Sequence, residues 1–183
     1  MQFATISAIC WLVFIVYWVV SSLQAKRTIT GPFWNSWWIR ILVLVIVVVA
    51  ASSTRFQIIS MYKPTEFVGW LGIILVAGGI ALVIWARMHL ASNWGMPMSV
   101  KENPELVTSG PYTYIRHPIY TGVLIGMFGN MLIFGPIWLV IFFFAGAYFV
   151  YSATQEEKIM QKEFPDQYPS YRARSKMLIP FIF

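Results

Sequence analysis

Cysteine is nearly absent from this chain, and that scarcity removes several chemistries. One residue of 183 is cysteine, Cys10, so neither an intrachain disulfide nor a thiolate metal cluster can form. Cys10 lies in an apolar run and reads as a small packing residue. Histidine is almost as rare, with His89 and His117 alone. Two imidazoles are too few for a His-rich metal centre, and no metal is expected. No glycine-rich phosphate loop of the Walker or Rossmann kind occurs. Charged residues make up only 11% of the chain, too few to clothe a water-soluble domain.

What replaces charge is hydrocarbon. Hydrophobic residues reach 58% and the mean hydropathy is +0.68, an apolar excess that must face lipid. The expected fold is an all-α, polytopic membrane bundle of about five transmembrane helices forming one domain over residues 1–183. The spans fall at about 3–23, 39–52, 67–86, 119–135 and 136–154. The first has no basic n-region or small-residue cleavage site and is too long for a signal-peptide core, so it reads as a retained span. Trp34, Trp37, Trp38 and Arg40 before the second suit the headgroup level. Gly135-Pro136 makes the last two an antiparallel hairpin. Gly69, Gly72, Gly78 and Gly79 suit close helix packing. Residues 155–183 alternate charge with apolar residues and read as a short helix and an irregular tail on the membrane surface.

With five spans, eleven of the thirteen Lys and Arg fall on one side: Lys26, Arg27, Arg40, Arg87, Lys101, Arg116, Lys158, Lys162, Arg172, Arg174 and Lys176. Arg55 and Lys63 lie opposite. The positive-inside rule puts the N-terminus outside and the tail in the cytosol. This basic rim accounts for the pI of about 9.6 through anionic membrane lipids, with no nucleic acid required.

Chemistry concentrates in two segments on that side. In the connector 87–118, Gly110-Pro111 makes a turn and Pro118 sits where a helix would begin. Arg116 and His117 then stand at a helix N-terminus, where a cation, an imidazole and unpaired N–H groups would receive a carboxylate. The plainer alternative is a lipid-anchored arginine beside a capping histidine. The second segment carries Glu156-Glu157 at the end of the fifth span. Adjacent carboxylates there need a cation, either a neighbour such as Lys158, Lys162 or Arg116, or the ammonium or sulfonium of a ligand.

From about Arg87 onward the order of elements resembles the integral membrane methyltransferases of the isoprenylcysteine carboxyl methyltransferase and phospholipid methyltransferase type. The resemblance is carried by Leu106 to Tyr112 (Leu-Val-Thr-Ser-Gly-Pro-Tyr), Arg116 to Gly122 (Arg-His-Pro-Ile-Tyr-Thr-Gly), Glu156-Glu157, then Phe164, Tyr168, Tyr171 and Ile179-Pro180-Phe181. It implies an S-adenosylmethionine site lined by Leu106, Val107, Tyr112, Arg116, His117, Pro118, Tyr120 and Glu156, with a lipophilic acceptor (carboxylate, amine or thiol) at the cytosolic face. Glu156 would suit the methionine ammonium, and the Arg116-His117 helix start would suit its carboxylate or orient nearby backbone. No obligatory nucleophile is expected, because the sulfonium is already activated. One position departs: Ser152 stands where the prenylcysteine enzymes have an arginine, so Arg172 or Arg174 would have to bind an acidic acceptor. An NADPH-dependent sterol-type reductase and a non-catalytic membrane binding protein are the competing readings. The sequence leaves the acceptor and the oligomeric state open.

Overall fold

The computed structural model describes residues 2–23, 26, 28–30, 62–95 and 99–182. Among these residues, five α-helices carry the architecture: α1 (Gln2–Ser22), α2 (Glu66–Leu90), α3 (Pro118–Phe134), α4 (Ile137–Glu163) and α5 (Tyr168–Arg174). A two-stranded antiparallel ladder, β1 (Thr28–Thr30) with β2 (Val100–Lys101), is the one addition to the all-α expectation among the described residues. Helices α1, α2 and α4 are long and apolar enough to cross a membrane, and α3 is a shorter apolar helix. The chain is therefore an integral membrane protein. The expected span 39–52 lies outside the described residues.

Helix α2 begins at Thr65, whose hydroxyl accepts from the Val68 N–H at 3.4 Å, with Glu66 in the first turn. Both features satisfy the positive N-terminal end of a helix. Its glycines let α3 approach backbone to backbone. A Cβ at Gly79 would run into the Gly122 carbonyl and the Gly126 amide, and one at Gly72 into Ile133 and the Gly129 carbonyl. Gly69 gives room to the Phe3 ring of α1, whereas Gly78 meets nothing within 4 Å, so three of the four glycines pack as expected and Gly78 does not. Cys10 packs against the core formed by Phe3, Ile73, Val76, Ile80 and Ile133. The Asn130 amide oxygen accepts from Ser7 Oγ at 2.8 Å and Trp11 Nε1 at 3.3 Å, tying α1 to α3.

Two boundaries differ from expectation. Arg87, expected at the start of the polar connector, lies inside α2 and is only 2% exposed. Its guanidinium donates to the carbonyls of Ser21 and Ala91, each at 2.5 Å, and lies 5.0 Å from the Trp94 ring. A buried cation at two helix C-terminal ends satisfies carbonyls that have no partner of their own. Helix α4 runs unbroken to Glu163, past the expected end at 154. Consequently Phe149 and Glu156, two turns apart, share one face of a rigid element.

Candidate active site

The site forms where α3 begins and α4 becomes polar. Gly110 sits at φ 60° and a Cβ there would overlap the His89 ring, so glycine is required at this turn. The turn buries Pro111 and Tyr112. The Tyr112 carbonyl accepts from Tyr171 Oη at 2.8 Å. Burial pushes the Tyr171 phenol up to about 12 and the Tyr112 phenol well above its ordinary value, so both stay neutral.

Beyond the turn, Ile115 forms a parallel bridge with Lys176. The Arg116 N–H donates to the Lys176 carbonyl at 2.8 Å and the His117 N–H to the Met177 carbonyl at 3.1 Å. Thr121 Oγ1 donates to the Leu178 carbonyl at 2.7 Å. The tail is thus stitched to the entry of α3.

The two carboxylates divide the cations between them. Arg116 Nε donates to Glu157 Oε1 at 2.7 Å, with the two side chains 8% and 7% exposed. Arg116 Nη1 also donates to the Ser175 and Arg172 carbonyls, at 2.5 and 3.3 Å. Arg172 Nε lies 3.4 Å from Glu157 Oε2. Arg116 borders the cavity described below, yet these partners engage it, and Glu157 is its counter-ion.

Glu156 has a different setting. Tyr120 Oη donates to its Oε1 at 2.5 Å, and His117 Nδ1 lies 3.3 Å from its Oε2. The Tyr120 ring is stacked between His117 (5.5 Å, 5°) and Phe149 (4.7 Å, 14°). His117 makes no side-chain cap, so its imidazole serves the carboxylates rather than the helix end. Burial opposes its protonation, but the contact with Glu156 and the negative charges of Glu156 and Glu157 outweigh that and raise its pKa above the ordinary value. Its Nε2 has no hydrogen-bond partner among the described residues and lies 3.7 Å from Glu157 Oε1.

A cavity of about 400 Å³ opens beside this cluster. Seven of the expected residues line it: Leu106, Val107, Tyr112, Arg116, His117, Tyr120 and Glu156. Pro118 does not; it is fully buried and starts α3. Arg172 and Arg174 do not line it either: Arg172 pairs with Glu157, and Arg174 lies 5.9 Å from the Tyr171 ring. Neither is placed as the acceptor-binding cation.

The structure adds lining residues that the sequence reading left without a role. Tyr168 and Tyr171 come from α5, whose spacing of three puts both on the buried face. Asn93 and Glu105 form a polar rim with Lys26, whose Nζ donates to Asn93 Oδ1 at 2.8 Å and lies 3.2 Å from Glu105 Oε1. On the apolar side stand Phe14 and Trp18 of α1, Ile119 and Val123 of α3, and Phe149 of α4. In sequence, Phe14 and Trp18 look like any lipid-facing residues of a span.

A helical membrane protein that gathers a carboxylate, an imidazole and phenols around a half-open cavity has a candidate ligand site. The chain belongs to the phospholipid methyltransferase family, whose model matches residues 67–167. It is 34% identical over 101 residues to a protein-S-isoprenylcysteine O-methyltransferase of Schizosaccharomyces pombe, covering 53% of this chain and 43% of that one. It is 28% identical over 130 residues to the protein of the same name from Xenopus laevis, covering 67% and 45%. An uncharacterized protein of Bacillus subtilis, YpbQ, is 37% identical over 57 residues, 31% of this chain and 34% of that one. The chain thus spans less than half the length of these relatives.

Proposed function

We propose that this protein is an S-adenosylmethionine-dependent membrane methyltransferase acting on a lipophilic acceptor at the cytosolic face. The observation that carries this reading is Glu156, held toward the cavity by Tyr120 and His117 while Glu157 takes the nearby arginines. A carboxylate so placed fits a cationic ligand, and the cavity lies within the range of small-molecule sites, roughly 300–1,000 Å³. Family membership favours methyl transfer over the reductase and scaffold readings.

When bound, S-adenosylmethionine supplies a methyl group already activated on a sulfonium. The residues that would hold it are Glu156 at the methionine ammonium and Leu106, Val107 and Tyr112 along the wall. Tyr120 and His117 fix the Glu156 rotamer, which limits the cost of orienting the carboxylate at binding. The buried phenols and Phe149 exclude water and align the donor with the acceptor, which is catalysis by proximity. Phe14, Trp18, Ile119 and Val123 offer an apolar wall to the acceptor's tail. An amine acceptor would have to lose a proton, whereas an acid or thiol attacks as the anion.

The test is calorimetric titration of the full chain in nanodiscs with S-adenosylhomocysteine, followed by incubation with labelled cofactor and a lipid extract. Binding and a labelled lipid product are expected. Absence of S-adenosylhomocysteine binding to folded protein would refute the reading.

A further inference from the structure

Residues 168–182 contain three cations, Arg172, Arg174 and Lys176, and no acidic residue. All three are exposed. Directly after them Ile179, Phe181 and Ile182 are 49%, 83% and 76% exposed, and the Phe181 ring lies 6.5 Å from that of exposed Tyr114. Three cations followed by uncovered apolar side chains, beside the polar ends of two membrane helices, match the border between headgroups and acyl chains.

We propose that this cationic and apolar hook binds anionic phospholipid headgroups of the surrounding bilayer, and that lipid seated there holds the entry of α3 in place. The charge of the surface selects anionic over zwitterionic lipid, because each basic residue near a membrane surface gains from negative headgroups. Its apolar end selects a lipid over free phosphate. The link to the site is direct: the carbonyls of Lys176 and Met177 accept from the amides of Arg116 and His117, and Arg172 pairs with Glu157. A lipid that immobilises the hook therefore immobilises the residues that position Glu156 and Glu157. The proposal does not depend on which reaction the cavity supports.

The full chain would be exchanged into nanodiscs of phosphatidylcholine with and without about one-third phosphatidylglycerol. Native mass spectrometry would count retained phosphatidylglycerol, and hydrogen exchange would follow the Arg116 and His117 amides. Preferential retention is expected, with exchange at those amides at least about threefold slower in the anionic discs. Lys176→Gln combined with Phe181→Ser should lose both effects, Lys176→Arg should keep them, and inorganic phosphate should not displace the lipid. Equal retention by wild type and the double variant, unchanged amide exchange in anionic discs, or displacement by inorganic phosphate would overturn the proposal. Melting curves identify a misfolded variant, in which case the wild-type comparison between the two disc compositions decides.

Discussion

At the residue scale, two neighbouring carboxylates do different work because a helix turns by about 100° per residue. Glu156→Gln keeps the shape but removes the charge facing the cavity. Losing a charge-assisted contact costs about 1.5–3 kcal/mol, so S-adenosylhomocysteine affinity should fall roughly ten- to a hundredfold by calorimetry, with the fold intact. Glu157→Gln strikes the buried pair with Arg116, and breaking such a pair costs about 3–5 kcal/mol. Its expected signature is a lowered melting temperature more than a selective loss of affinity; equal melting of both variants would contradict this division. His117 adds a pH dependence. It faces Glu156 and Glu157 of α4 and the Tyr120 ring of α3, with Arg116 beside it and Arg172 on the far oxygen of Glu157. Its folded pKa is raised, so its contribution to stability is full below the unfolded value of about 6.5 and is lost as pH rises through the folded pKa. Melting temperature should decline over that interval in wild type and decline less in His117→Gln.

At the level of elements, the α2–α3 contact is the rigid part of the frame. Gly79 faces the α3 backbone, where no side chain can move aside, while Gly78 faces open space. Gly79→Val should therefore cost at least about 1–3 kcal/mol through overpacking, while Gly78→Ala should be neutral or slightly stabilising in a helix. Melting of the two variants in one detergent checks this, and equal destabilisation would mean that the helices do not cross at Gly79. The other consequential element is α4. Its unbroken run from Ile137 to Glu163 carries Phe149, Glu156 and Glu157 as one body, so α3 and α4 together set the distance between Tyr120 and Glu156.

For the whole molecule, two properties remain proposals with direct tests. The eleven-to-two distribution of basic residues predicts a cytosolic tail. Arg87 is engaged by backbone carbonyls, but the asymmetry survives without it. Reporter fusions after residue 183 should be read out on the cytosolic side. The cavity's apolar wall of Phe14, Trp18, Ile119, Val123 and Phe149 further predicts that the acceptor enters sideways from the bilayer. Each methylene kept out of water is worth about 0.8 kcal/mol, so the tail alone can hold an acceptor near the site. Methylation in nanodiscs should favour long-chain acceptors over a soluble acceptor with the same head group. Equal efficiency for both would mean entry from water.

By itself the sequence determined the membrane class, the positions of α1 and α2 and the α3–α4 hairpin, because these depend on local properties; the seven cavity-lining residues named from it came from the ordered motifs of the family resemblance. Long apolar runs, a Gly-Pro turn and a proline at a helix start act over a few residues. Only the tertiary structure decided which partner each charge takes. Arg116 and Glu157 are 41 residues apart, so nothing local distinguishes a free anion receptor from a buried ion pair. The same holds for Arg87, whose partners Ser21 and Ala91 end different helices, and for Asn93, Glu105, Phe14 and Trp18, which share one cavity. Charges and aromatic rings interact through distances in space, and folding sets those distances.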